Sequence, residues 1–390
     1  MKIGVINRFY PPDPAPTGLA AAELVGFLCQ RLPAASLTVY ATKARYAPGC
    51  AEVTDGAARV VRLPSLYDGK ASLPRLAASL FEGRALARRA TKDCDLVIAL
   101  TDPPLLPLWV GAAVRRYRRR WIEWTMDLYP AFLVAAGVVG ASQPFYRHLD
   151  RQARRLRPNY MICLGVGQRH WLENHRGVEV PTTLLPSGIC PVPPRRAEEN
   201  PGRLTIVCAG NYGAAHPVRA LVELIERADP ARFYFVLALH GSRSADLRRR
   251  LDGHPAVEWR ERLSPEDLAA AAAHFVCLAG AATHLCVPSK AVTAVCLGRP
   301  FLFAGSPEGD SWQRLGPAGW LIPERPDGSY RAADIDAALA GLADPEERAA
   351  KAAAARFLAA RLNETQASAF ETIAAWIEAG GPGGLQVPRP

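Results

Sequence analysis

The strongest constraint on this chain is an alternation. Short apolar runs of strand length are separated by longer stretches with helical periodicity, and the alternation continues through most of the 390 residues. Parallel strands need a crossover between neighbours, and a sheet covered by helices buries both faces, so this pattern predicts an α/β fold. In the first half the strand-like runs fall at 2–7, 36–41, 59–63, 95–100, 121–125, 160–163 and 182–185, with helical stretches at 18–31, 73–90 and 144–157. A second series occupies 204–209, 233–239, 257–259, 275–278, 301–304 and 319–321. The two series read as two separate doubly wound sheets.

Between them, residues 191–202 are proline-rich and polar, the composition of an exposed connection. The expected organisation is therefore a first domain over 1–190 and a second over 203–364. A helical end follows to about residue 379, and the Gly/Pro-rich segment 380–390 reads as a disordered tail. The 268–287 stretch lacks Asp, Glu, Lys and Arg but is mostly alanine, interrupted by His274, Thr283 and His284. It reads as an Ala-rich helix followed by a buried strand rather than a membrane span. The first nine residues have too short an apolar core for a cleavable signal, so a cytoplasmic protein is expected. Nine cysteines, at 29, 50, 94, 163, 190, 208, 277, 286 and 296, contain no Cys-x-x-Cys pair. That usage reads as reduced, buried thiols rather than disulfides or a zinc site.

The net charge of +10 is unevenly distributed. Residues 1–190 carry 25 Lys/Arg against 14 Asp/Glu, while 191–390 carry 22 against 23. Arg115, Arg116, Arg118, Arg119 and Arg120 form a run after the apolar stretch 105–114, interleaved with Tyr117 and followed by Trp121. Such a cluster can hold an anionic membrane surface or attract a phosphorylated substrate; a solvated helix end is the plainer alternative. Peripheral contact with the inner face of the cytoplasmic membrane is the expectation, with no nucleic-acid partner.

In open parallel sheets, ligands bind beyond the carboxyl ends of the strands, where helix N-termini direct unpaired N–H groups. After the first strand, a long loop ends at Thr17-Gly18, so the Gly-x-Gly-x-x-Gly dinucleotide fingerprint is absent where it would stand. The first strand of the second domain runs into Gly210-Asn211-Tyr212-Gly213, with His216 just beyond, a turn that allows close backbone approach to phosphate or simply a tight bend. Val287-Pro288-Ser289-Lys290 opens a helix that closes at Gly298-Arg299-Pro300. A lysine at a helix start opposes the helix dipole, which points to an anionic ligand nearby or to a solvated surface lysine. After the next strand, Glu308 and Asp310 offer acceptors for hydroxyl groups.

Taken in order, these motifs resemble those of family 4 glycosyltransferases, in particular the bacterial cell-envelope and exopolysaccharide subgroup. They are Tyr10-Pro11-Pro12-Asp13 with Thr17-Gly18, Trp124-Thr125-Met126-Asp127-Leu128-Tyr129-Pro130, Leu185-Pro186-Ser187-Gly188, the Gly210–Gly213 turn with His216, and the Pro288–Lys290 helix start with Gly298-Arg299-Pro300. The resemblance, over about residues 1–365, implies the GT-B fold: two Rossmann-like doubly wound parallel-sheet domains facing a cleft. It implies acceptor binding on the first, nucleotide-sugar binding on the second, and a C-terminal helix over 365–379 crossing back to the first. The implied activity is hexosyl transfer from a UDP- or GDP-linked sugar, with the nucleotide sugar as substrate, no cofactor and no metal, to a hydroxyl of a lipid-linked or cell-envelope glycan. Gly18, Gly210, Asn211, Gly213, His216, Ser289, Lys290, Glu308 and Asp310 would hold the donor. Asp127 would orient or deprotonate the acceptor, or else merely cap its own turn.

Three departures from the family pattern keep alternatives open. Thr293 stands where the wider family has a Glu, Ala214, Ala215 and Pro217 surround His216 where many members carry an Arg/Lys pair, and Met126 precedes Asp127 where a His is common. A non-catalytic nucleotide-sugar-binding scaffold and a nucleotide-sugar epimerase are therefore the rivals. Asp93-Cys94-Asp95 and Asp334-Ile335-Asp336 match a metal-diphosphate pattern but fall at an amino edge and a late helix start. His170 and His175 do not form His-Glu-x-x-His, and no Gly-x-Ser-x-Gly elbow is present.

Overall fold

The computed structural model describes residues 1–44, 58–65, 73–189 and 202–381, which divide into two compact units. The first comprises residues 1–134, 138–187 and 366 onward, and the second 135–137 and 188–365. Cys50, Cys190, the connection as far as residue 201 and the tail from 382 lie outside the described residues.

In the first unit the strands are β1 Lys2–Ile6, β2 Ser36–Thr42, β3 Arg59–Leu63, β4 Leu96–Ala99, β5 Arg120–Trp124, β6 Tyr160–Cys163 and β7 Thr182–Leu184. They pair in parallel in the order β3-β2-β1-β4-β5-β6-β7. The helices are α1 Pro16–Arg31, α2 Leu73–Asp93, α3 Leu106–Tyr117, α4 Ala131–Ala135, α5 Pro144–Arg154 and α6 Val166–Arg176. Ile6, Val97 and Ala99 face Leu86, Leu106, Val110 and Trp121 in the core. Strand order reverses between β1 and β4, the kind of switch point beyond whose carboxyl edge open parallel sheets bind ligands.

The second unit repeats the plan. Its strands β8 Leu204–Asn211, β9 Phe233–His240, β10 Val257–Trp259, β11 Ala273–Cys277, β12 Phe301–Gly305 and β13 Gly319–Pro323 run parallel in the order β10-β9-β8-β11-β12-β13. Its helices are α7 Val218–Arg227, α8 Ser244–Arg250, α9 Pro265–Ala270, α10 Ser289–Cys296, α11 Asp310–Leu315 and α12 Ala332–Ala343. Phe235, Leu237, Phe275 and Leu302 are buried against Leu221, Ile225 and Leu339. Here the switch point lies between β8 and β11. A final helix, α13 Pro345–Glu378, begins in the second unit and ends in the first.

All thirteen strand-like runs are strands. Their ends shift by a residue or two, because ladder pairing rather than apolarity sets where a strand stops. The Ala-rich stretch differs more: the helix is only α9, ended at Ala270, and β11 starts at Ala273. Among the described residues no helix is long and apolar enough to cross a membrane.

Candidate functional site

In the second unit, β8 delivers Gly210 and Asn211 to the switch point. Gly210 has φ +101°, where a side chain is strained, and a Cβ there would come 3.1 Å from Lys290 Cε. Tyr212 N–H then donates to His240 O at 2.6 Å. The buried Tyr212 hydroxyl donates to Pro217 O at 3.0 Å and accepts from Cys277 Sγ at 3.2 Å, which plants the 212–217 loop on β11. The Ala279 amide donates to Ala215 O at 2.9 Å, stitching that loop to the one after β11. Gly213 has ordinary φ, and a Cβ there would meet only the Asn211 side chain, at 3.8 Å. It leaves space in front of the turn rather than permitting the turn.

Lys290 occupies the first turn of α10. The residue before the helix is Pro288, which supplies no side-chain cap, so the first-turn N–H groups have no such partner. Lys290 Nζ donates to Asn211 O at 3.0 Å and lies 3.4 Å from His216 Nε2. Among the described residues no carboxylate pairs with it. His216 is pushed down to about 3, first by burial and then by the Lys290 charge, against a weaker pull from the Gly213 carbonyl. A neutral imidazole can accept from the ammonium, and the Tyr212 ring, 5.1 Å away between centroids, helps set its plane. His240, at the end of β9, is also held low by burial and then by Lys290. One uncompensated cation, two neutral imidazoles and uncapped amides therefore meet at this edge, an arrangement that can accept an anion.

Gly210, Asn211, Gly213, His216, Ser289 and Lys290 are thus brought together. Glu308 and Asp310 follow β12, one strand beyond β11; Glu308 is exposed and Asp310 is buried at the start of α11. Gly18 belongs to the first unit. It sits in α1, where a Cβ would come 3.0 Å from Phe9 O, so its smallness lets the helix approach the 7–12 loop. Thr293 Oγ1 lies 3.2 Å from both Gly188 O and Ser289 O, and Gly188 packs so closely that a Cβ would meet Ser289 O at 2.7 Å. Two residues that sequence reasoning passed over complete the edge. Gly241 has φ +106°, and a Cβ there would fall 2.2 Å from Asn211 Oδ1; its signal was a glycine directly after a strand. Glu324, past the end of β13, accepts from Gly280 N–H at 2.8 Å, and burial raises its carboxyl.

In the first unit, Asp127 follows β5 in a tight turn, with its backbone N–H donating to Thr101 Oγ1 at 3.2 Å. Burial pushes its carboxyl up to about 6. The strand end behind it is clamped by the fully buried Gln168, another residue the sequence did not single out. Gln168 Oε1 accepts from Thr125 Oγ1 at 2.8 Å and from Leu164 N–H at 2.9 Å, and its Nε2 donates to Met126 O at 2.8 Å. Asp127 also lines a small cavity with Thr101, Trp171, His175 and Arg176.

The basic run is divided by the chain's own secondary structure. Arg115 and Arg116 end α3 exposed, Arg118 caps it in the left-handed region at φ 53°, and Arg120 begins β5. Arg119 lies 3.6 Å from Asp95, and Arg120 bonds Gly380 O and Met1 Sδ. A helix ends and a strand starts inside the run, so the five arginines stand in different local settings, with Arg116 over the Tyr117 ring and Arg119 and Arg120 turned to other partners within the first unit. Asp95 also accepts from Lys2 N–H, and Asp336 pairs with Arg227, so both Asp-x-Asp motifs hold structural partners. Among the described residues no three His, Cys, Asp or Glu side chains gather to hold a metal.

No protein-family model matches the chain, and no curated protein does. Solved structures do. Sucrose-phosphate synthase from Thermosynechococcus elongatus is 14% identical with a TM-score of 0.71, covering 98% of this chain and 100% of that one. WaaG, a glycosyltransferase involved in lipopolysaccharide biosynthesis, is 16% identical with a TM-score of 0.70, with 98% and 100% covered. Anabaena HepE in complex with UDP and glucose is 14% identical with a TM-score of 0.60, with 96% and 100% covered. Together with two parallel α/β sheets of seven and six strands, these likenesses establish that the chain has the GT-B fold.

Proposed function

We propose that the protein is a glycosyltransferase that moves a hexosyl group from a nucleotide diphosphate sugar to a hydroxyl acceptor. The observation that carries this reading is Lys290, which no carboxylate pairs among the described residues, at the uncapped start of α10 beside the Gly210–Gly213 turn. As the donor bond breaks, negative charge builds on the departing diphosphate. Backbone amides and one fixed cation stabilise that charge without reorganising. Neutral His216 keeps the ammonium aimed and, when a diphosphate displaces the Asn211 carbonyl from it, leaves the positive charge undivided. With this charge supplied by the chain, transfer is expected to persist in a chelator. The UDP complex of HepE, which has the same fold, favours a UDP-linked donor over a GDP-linked one.

The second unit would hold the donor and the first the acceptor, with Asp127 accepting a proton from, or orienting, the acceptor hydroxyl. A lipid-linked or cell-envelope glycan is the proposed acceptor, met by a protein held peripherally at the inner face of the membrane. The test is incubation of purified protein with UDP- and GDP-sugars, with and without membrane extract. Acceptor-dependent nucleotide release supports transfer. Epimerised or hydrolysed donor without acceptor supports the epimerase, and donor binding without turnover supports a scaffold, the reading that Thr293 and Met126 favour.

A further inference from the structure

We propose that the paired faces of α2 and α3 form a docking surface for an anionic lipid bilayer. Gly83, on α2, makes room for the Trp109 indole of α3: a Cβ there would come 3.2 Å from Trp109 Cδ1. One residue on, the Arg84 guanidinium lies over the same ring, 5.9 Å from its centroid. Further along, Arg88 hydrogen-bonds the Tyr117 hydroxyl, and Arg116 lies 5.9 Å from the centre of the Tyr117 ring. These contacts advance in the same order on both helices, so the helices run side by side in the same direction. Phe81, Arg84 and Arg88 then share one stripe by their spacing of three and four residues, next to the Trp109, Ala112 and Arg116 stripe.

Phe81 is 64% exposed on that face, and Arg84, Arg88, Ala112 and Arg116 are exposed around it. The two helices contain only two carboxylates. Glu82 turns inward to Arg8, with its side chain 1% exposed, and Asp93 pairs with Arg89 at the far end of α2. A long two-helix face with cations, aromatic rings and no free acid among the described residues of the two helices complements anionic headgroups, and the protruding Phe81 ring gains most where it can enter the acyl boundary. A soluble polyanion offers the charge but no such boundary. This surface uses Arg116 from the basic run but draws Phe81, Arg84 and Arg88 from a helix some thirty residues earlier. It deepens the reading of a membrane-presented acceptor, yet it can be tested without donor or acceptor.

The test is flotation of the full-length protein with phosphatidylcholine vesicles and with vesicles of phosphatidylcholine and phosphatidylglycerol in equal parts. Binding to the anionic vesicles alone, weakened by high salt, is expected. Replacing Arg84, Arg88 and Arg116 by Gln should lower it by about fivefold per residue. Phe81→Ser, which changes no charge, should also lower it, while Arg147→Gln on α5 and UDP affinity stay at the wild-type level. Wild-type indifference to anionic vesicles, or full binding by Phe81→Ser, overturns the proposal. So does retention on a soluble polyanion such as heparin without vesicle binding, which would assign the face to nucleic acid or polysaccharide. Loss of UDP binding in the wild type would instead refute the donor reading and leave the docking surface standing.

Discussion

At the scale of single residues, Lys290 is a cation placed where the helix dipole disfavours it, held by one backbone carbonyl and one neutral imidazole. A charge-assisted contact to a diphosphate in such a place contributes about 1.5–3 kcal/mol. Lys290→Ala is therefore expected to weaken UDP binding by about tenfold to a hundredfold in titration calorimetry, with an unchanged circular dichroism spectrum. Unaltered UDP affinity would remove Lys290 from the site. Asp127 gives a second prediction. Its carboxyl rises from 3.8 to about 6 through burial, so the native state binds that proton more tightly than the unfolded chain does. The stability it contributes is fully present below 3.8 and lost as pH rises through about 6, whereas base-like action needs the ionised form above about 6. Transfer should accordingly rise along a limb near pH 6, and Asp127→Asn should lose both activity and that limb. An unchanged pH–rate profile in Asp127→Asn would leave the residue as a turn cap.

At the scale of elements, β5 carries Asp127 and is tied to α6 by an ion pair with both partners out of solvent. Arg176 reaches Glu123 through two bonds, of 2.5 and 2.9 Å, and the side chains are 5% and 2% exposed. Removing one partner strands a charge in the interior, so Arg176→Met should destabilise the protein by about 3–5 kcal/mol. The double replacement Glu123→Leu with Arg176→Met should recover much of the loss, since both desolvation costs disappear together. Denaturant titration of the three variants decides it; a double variant as weak as Arg176→Met would mean the pair acts through packing rather than charge. Gln168 ties the same strand end to the start of α6 through neutral hydrogen bonds. Asp127 is thus mounted on two connections between one strand and one helix.

At the scale of the whole molecule, α13 is a single helix whose first two thirds belong to the second unit and whose last third belongs to the first. There Phe370 packs on Phe27 at 5.3 Å between ring centroids and Trp376 on Tyr160 at 4.9 Å, while Ile373 and Ile377 are fully buried. Arg31 adds ion pairs of 3.1 and 2.9 Å to Glu371 and Glu378, but these are exposed and contribute little. Ile373→Ala should cost about 2–5 kcal/mol. Calorimetric unfolding should show that loss with UDP bound and without it, because the residue lies in the first unit and the Lys290 group in the second. A wild-type transition in Ile373→Ala would mean the helix end is not part of that core.

By itself the sequence determined the strands, their parallel habit and the two-sheet plan, because hydrophobic periodicity is a local record of which side chains must leave water. It also marked the Gly210–Gly213 turn and the Pro288–Lys290 helix start, since turns and helix ends have local chemical signatures. Only the tertiary structure decided which of these meet. Lys290 touches Asn211 and His216 across more than seventy residues of chain, and Gln168 clamps Met126 across forty-two, because neighbouring strands deliver their loops to one edge. The same physics worked in reverse on the basic run, where adjacent arginines part company once α3 ends at Tyr117 and β5 starts at Arg120. Closeness along the chain says where a side chain begins, while helix packing and strand order decide what it reaches.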